Sequence, residues 1–165
     1  EFRYLRNFLL RWPDVRSESS EELPKDLSPF RVVMISGSAK LDENQRRALG
    51  DWVRAGGGLV WMGDAPEPSL SPVRLKEGAG PVVLKGDALG LPWADMSGQV
   101  HARCRVEPEE GSKVIVEGFL ILRAFEKGRA LYVGAEDTWR WRAQTGDQPH
   151  YGPFWTSVIK LAAAP

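Results

Sequence analysis

Residues 31–66, RVVMISGSAKLDENQRRALGDWVRAGGGLVWMGDAP, constrain the fold more than any other part of the chain, because they read as strand, helix, strand. Val32, Val33, Met34 and Ile35 form an apolar run without polar alternation, the pattern of a strand covered on both faces. The period then changes. Leu41, Gln45, Ala48, Leu49, Trp52 and Val53 share one face at helical spacing, and Arg46, Arg47, Asp51 and Arg54 fall mainly outside it. Asp42 with Gln45 three residues on predicts a capping box, and Asp42 and Glu43 suit the positive end of the helix dipole. Gly56, Gly57 and Gly58 stop the helix, and Leu59, Val60, Trp61 and Met62 resume a buried strand. A unit of this length predicts a right-handed crossover between adjacent parallel strands. Gly63 and Asp64 then leave the sheet at its carboxyl edge, where open α/β sheets place their sites.

At 165 residues the chain suits one domain. Its 22 acidic and 22 basic residues balance, which argues against a general polyanion binder and against nucleic acid. A single cysteine excludes an internal disulfide framework and a cysteine-based metal cluster. No run reaches transmembrane length. The chain opens with Glu1 and Phe2, and its first element reads as a helix over residues 1–16, with Phe2, Leu5, Leu9 and Trp12 on one face. A doubly wound domain normally begins with a strand, so residues 1–165 are expected to be one domain excised from a longer protein, its first strand lying upstream.

Residues 17–29 read as a polar connector, and residues 67–80, rich in Pro, Ser and Gly, as a surface excursion. Residues 81–84 read as a short strand, and 86–98 as a loop anchored by Leu89, Leu91 and Trp93. Val100, Ala102, Cys104 and Val106 alternate with His101, Arg103, Arg105 and Glu107, predicting one half-exposed antiparallel edge strand. Strands follow at 113–116 and 119–125, then a turn at 126–129 and a hairpin partner at 130–133. A helix over 153–163 closes the chain, with Pro153 in its first turn and Phe154, Trp155, Val158, Ile159 and Ala162 facing inward.

The blocks ALYVGAEDTWRWR and HYGPFWTSVIKLA, with the EFRYLRNFLL opening and the GGGLVWMGDAP centre, resemble the class I glutamine amidotransferase-like domains of large bacterial membrane-anchored proteins of unknown function. The likeness runs from about Phe2 to Leu161, and the D-T-W-R-W-R block is its most specific part. It implies a flavodoxin-like three-layer α/β sandwich, mostly parallel with antiparallel strands in the C-terminal half. It also implies an extracytoplasmic or membrane-associated place in the bacterial envelope, with the membrane reached through segments outside these residues. Active amidotransferases of this class carry a cysteine in the turn after the strand equivalent to 59–62, where a following helix N-terminus favours the thiolate. Here that position is Gly63, and Gly134, Ala135, Glu136 and Asp137 stand where the histidine and glutamate partners are expected. The triad is absent, no catalytic residue is assigned, and Cys104 reads as a small buried hydrophobe.

Two further constellations remain. Asp64, Glu136 and Asp137 all follow strand ends and either form a carboxylate cluster for a cation or for acid–base work, or cap helices and pair with Arg140 or Arg142. Trp139 and Trp141, with Arg140, Arg142, Tyr151 and Trp155, either form a stacking platform for sugar or peptide, or pack beneath the last helix as a wall. Strand-like alternation would send both tryptophans to one side and both arginines to the other. His101 and His150 lack metal-ligand spacing, and Ser36, Gly37 and Ser38 are a weak phosphate-loop candidate, so no metal and no cofactor is expected. Together these imply a catalytically inactive amidotransferase-like domain that binds a protein or a cell-envelope ligand, its rim formed by Asp64, Glu136, Asp137, Trp139, Arg140, Trp141 and Arg142. The alternative is a hydrolase built on the three carboxylates.

Overall fold

The strand–helix–strand unit forms as its pattern predicts. The computed structural model describes every residue except 1, 13–14, 21, 37–38, 64–67, 86–87, 103, 144–149 and 165. Strands β1 (Val32–Ser36) and β2 (Gly58–Met62) pair in parallel, with helix α2 (Glu43–Arg54) between them. The capping box is complete: the Gln45 amide donates to Asp42 Oδ1 at 2.8 Å, and the Asp42 amide donates to Gln45 Oε1 at 2.9 Å. Gly56 ends α2 in a left-handed conformation, φ +124°.

The chain then departs from a doubly wound plan. Strands β7 (Ser112–Val116), β8 (Leu120–Phe125) and β9 (Gly128–Val133) complete a five-stranded sheet in the order β1-β2-β9-β8-β7. β9 lies parallel to β2, but β8 and β7 are antiparallel. Among the described residues four of the six strand pairings are antiparallel, which overturns the expected mostly parallel, flavodoxin-like three-layer sandwich. The reason is connection length. Two residues join β8 to β9 and three join β7 to β8, too few for the crossover that a parallel pair requires.

Residues 67–108 also differ from their sequence reading. A 3-10 turn at Pro68–Leu70 leads into β3 (Val73–Lys76), and Leu70, Ser71 and Val73 are buried, so this stretch closes part of the core. β3 pairs antiparallel with β6 (Arg105–Pro108), and β4 (Gly80–Pro81) pairs with β5 (His101–Ala102). Lys76 pairs with Arg105 and Gly80 with Ala102. These two short pairs form an antiparallel ribbon apart from the main sheet, and Gly78, at φ +120°, stands between β3 and β4. The expected single edge strand at 100–107 is thus broken in two and joins this ribbon rather than the main sheet. Trp93, fully buried, opens the short helix α3 (Trp93–Met96) inside the expected loop.

Every residue of β2 is buried. Leu59 and Trp61 point into one core with Leu49 and Val53 of α2, Ala130 and Tyr132. Val60 and Met62 point into the other, with Leu131, Val133 and helix α5 (Tyr151–Ala163). Phe154, Trp155 and Val158 of α5 are fully buried there, each contributing roughly 1.5–3 kcal/mol through apolar burial. Helix α1 (Phe2–Leu9) is shorter than its sequence reading and joins the same core through Leu5, with Phe8 and Leu9 half-buried. Glycines let the helices approach. A Cβ at Gly128 would overlap the Val53 carbonyl of α2, and one at Gly58 the Ala162 carbonyl of α5. Gly128→Ala should therefore act as overpacking and cost roughly 1–3 kcal/mol or more by chemical denaturation; an unchanged midpoint would show that α2 does not press on β9.

Candidate functional site

β1, β2 and β9 end together. Ser36 is in register with Met62, and Met62 with Val133, so the residues that follow share one rim at the carboxyl edge. Glu136, three residues past β9, reaches back across β2 to β1, where Ser36 Oγ donates to its Oε1 at 2.6 Å. Two strand spacings separate those strands, roughly 10 Å. The span is open only because Gly63 lies beneath it: an ideal Cβ there would stand 2.6 Å from the Glu136 carboxyl carbon, and Gly63 holds φ +87°. Both the conformation and the space demand glycine.

Asp137 ties the ribbon to this rim. Its Oδ1 accepts the His101 amide at 3.0 Å, and its Oδ2 lies 3.3 Å from His101 Nδ1 and 2.8 Å from Arg140 Nε. The Asp137 carbonyl also accepts the Arg140 amide at 3.0 Å, which starts the one-turn helix α4 (Arg140–Ala143). Gly63, His101, Gly134, Ala135, Glu136, Asp137 and Trp139 enclose a cleft of about 390 Å³. Asp64 lies outside the described residues. Among the described residues no group of three His, Cys, Asp or Glu side chains is placed to hold a metal ion.

The predicted alternation over 137–142 does not form. The turn at Thr138 and Trp139 runs straight into α4, and at roughly 100° per residue positions two apart face nearly opposite ways rather than one way. Trp141 is 1% exposed, donates from Nε1 to the Met96 carbonyl at 3.3 Å, and meets Phe154 edge-on at 5.1 Å. Trp139 is half-buried, stacks on Tyr4 at 5.8 Å, and faces the cleft. The wall beneath α5 is therefore Trp141 alone of the pair. The arginines separate too: Arg140 pairs with Asp137, while the Arg142 guanidinium lies 4.9 Å from the Tyr4 ring and 5.8 Å from that of Tyr151, docking α1.

Sequence reasoning missed Ser36 as the partner of Glu136, His101 as the partner of Asp137, and Thr138, a buried residue whose Oγ1 accepts from Trp155 Nε1 at 3.2 Å. A hydroxyl closing a strand and a carboxylate following another were the only local signals, and neither specifies the pairing. Cys104 is half-buried rather than buried, its Sγ 3.9 Å from the Tyr132 hydroxyl. Gly37 and Ser38 lie outside the described residues, and the carboxylate bonded to Ser36 makes that corner a poor phosphate seat.

No family model matches the chain, and neither does any curated protein. Solved structures share its fold. A cytoplasmic protein from Salmonella typhimurium LT2 superposes with a TM-score of 0.72 at 16% identity, over 97% of this chain and 86% of that one. A second cytoplasmic protein from Salmonella typhimurium gives 0.70 at 13% identity, over 96% of this chain and 85% of that one. A β-galactosidase from Rahnella sp. R3 gives 0.58 at 18% identity, matching 85% of this chain but 24% of the enzyme. At these identities the likeness is one of fold. It corrects the expectation of a membrane-anchored envelope domain: the two Salmonella matches are to cytoplasmic proteins, none of these three structures is of an amidotransferase, and no helix among the described residues is long and apolar enough to cross a membrane.

The two tryptophans should respond differently to truncation. Trp141→Ala is expected to cost roughly 3–5 kcal/mol as a core cavity. Trp139→Ala, at a half-buried position, should cost less than half of that. Equal losses in thermal melts would return Trp139 to the core.

Proposed function

We propose that this domain is a binding module without amidotransferase chemistry, and that its ligand sits in the cleft at the carboxyl ends of β2 and β9. The observation that carries this reading is the crowding at Gly63. In the turn where the family resemblance asks for a nucleophile, the side-chain space is filled by the Glu136 carboxylate, which Ser36 holds from the far side. Among the described residues, the Gly63 amide donates to the Val133 carbonyl at 3.2 Å and the Gly134 amide to the Phe119 carbonyl at 2.8 Å, so both of these amides are turned to the protein rather than to an oxyanion.

The hydrolase alternative draws on the carboxylates of Asp64, Glu136 and Asp137; Asp64 lies outside the described residues, and Glu136 and Asp137 line one cleft together with His101. It has less support, because Asp137 uses both oxygens to fasten the ribbon and α4 to the sheet edge. That is a positioning job, and it leaves His101 as a tether rather than a base. The partial match to a much longer glycosidase supports the word module, since the same fold there forms about a quarter of the chain.

The test is enzymatic and direct. The domain should not release ammonia from glutamine, and Gly63→Cys, which restores a thiol to the turn, should gain no activity and lose stability. Glutamine hydrolysis by the unaltered domain, lost on Glu136→Ala, would overturn the proposal.

A further inference from the structure

Helix α1 is attached to the rest of the molecule by side-chain faces alone. Leu5 is 2% exposed in the α5 core, and Phe8 meets Tyr151 edge-on at 6.1 Å. Tyr4 stacks on Trp139 at 5.8 Å, with the Arg142 guanidinium 4.9 Å from the Tyr4 ring. Among the described residues, no hydrogen bond and no ion pair joins residues 2–9 to another helix or strand. The seat is cut to fit: a Cβ at Gly152 would stand 3.1 Å from Phe8 Cε2, so glycine leaves the room that the Phe8 ring fills. At 8 residues α1 is shorter than helices that persist alone in water, so leaving the seat unfolds it and regaining a seat refolds it.

The connector allows such a departure. Residues 10–31 separate α1 from β1, and none of the described ones lies in a helix or strand. Leu23 and Leu27 pin its far end in the α2 core. Over residues 10–22 no described side chain is fully buried, and the backbone amides that bond do so only within four positions. That stretch reaches roughly 40 Å when extended, about the width of a domain of this size.

We propose that α1 is a detachable strap, and that the groove it leaves takes the α1 of a second copy, so that two copies join by exchanging this helix. The groove itself names the occupant. Trp139, Tyr151 and Gly152 are seated against Tyr4 and Phe8, and a second copy presents those same residues around the same Leu5. A terminal element on a long connector is the geometry by which identical chains swap. Each seat in the pair makes the contacts of the single chain, so concentration rather than new bonding drives the exchange. It holds whether or not the cleft beyond Trp139 binds a ligand.

Two full-length variants with complementary defects test this. Leu5→Asp spoils the strap and leaves the groove, whereas Gly152→Trp fills the groove and leaves the strap. Each should keep a dispersed nuclear magnetic resonance spectrum and run alone as a monomer in size-exclusion chromatography with light scattering. Mixed at high concentration, they should form a one-to-one dimer. Leu5→Asp mixed with the double variant Leu5→Asp/Gly152→Trp should stay monomeric, because no intact strap is left. In the unaltered domain, hydrogen exchange should find the Arg6–Leu9 amides at least about a hundredfold less protected than those of β2, since they open locally. Monomers alone in the first mixture would overturn the proposal, and so would a dimer in the control or from either variant by itself. Unfolding of either variant, or α1 protection equal to that of β2, would overturn it too, because α1 would then be a fixed part of the core.

Discussion

Burial of β2 on both faces is the constraint on which the rest depends. Leu59 and Trp61 need a cover on one side, Val60 and Met62 on the other, and both needs are met only if helices lie on opposite faces. α2 supplies one cover through the crossover, and α5 the other after the chain has run through strands β3 to β9. Gly58 and Gly128 set how near those helices come. With β1 and β9 held parallel beside β2 and ending in register, whatever follows the three strands is brought to one rim. The cleft is thus a consequence of how the core is closed.

The same economy explains why the motif at 137–142 is so dense in chemistry while contributing few groups to the cleft. Asp137 fastens the ribbon, Thr138 and Trp141 anchor to α5 and α3, and Arg142 docks α1 between two tyrosine rings. Of this block Trp139 and one edge of Asp137 face the hollow. A run that looks functional because it is aromatic and charged is here mainly a joint between elements, and the functional weight moves to Glu136 just before it.

How much of this was legible follows from the range of each interaction. β1, α2 and β2 could be read because period, capping pair and glycine stop are all local, and the capping box formed as expected. The β8–β9 hairpin could be read for the same reason. The class of the whole sheet could not, since residues 67–108 spread their apolar positions among glycines and prolines and choose partners far along the chain. The Trp-Arg-Trp-Arg run has a true period of two, yet three backbone bonds, from the Arg140, Trp141 and Arg142 amides to the Asp137, Thr138 and Trp139 carbonyls, turn it into a helix. In the site, Glu136, Asp137 and Trp139 line one cleft, but Ser36 lies 100 residues from its partner and His101 lies 36 from its own, distances no local pattern encodes.

The central claim, that a carboxylate occupies the turn in place of a nucleophile, is a claim about two groups competing for one volume. A double-mutant cycle on stability between Gly63→Ala and Glu136→Ala measures that competition directly. In the unaltered background Gly63→Ala meets both an unfavourable φ and the Glu136 carboxylate, whereas beside Glu136→Ala only the backbone strain is left. The account predicts that the second background relieves the cost of Gly63→Ala, with a coupling of about 1–2 kcal/mol. Strictly additive losses would contradict it, because they would mean that the carboxylate does not lie over Gly63 at all.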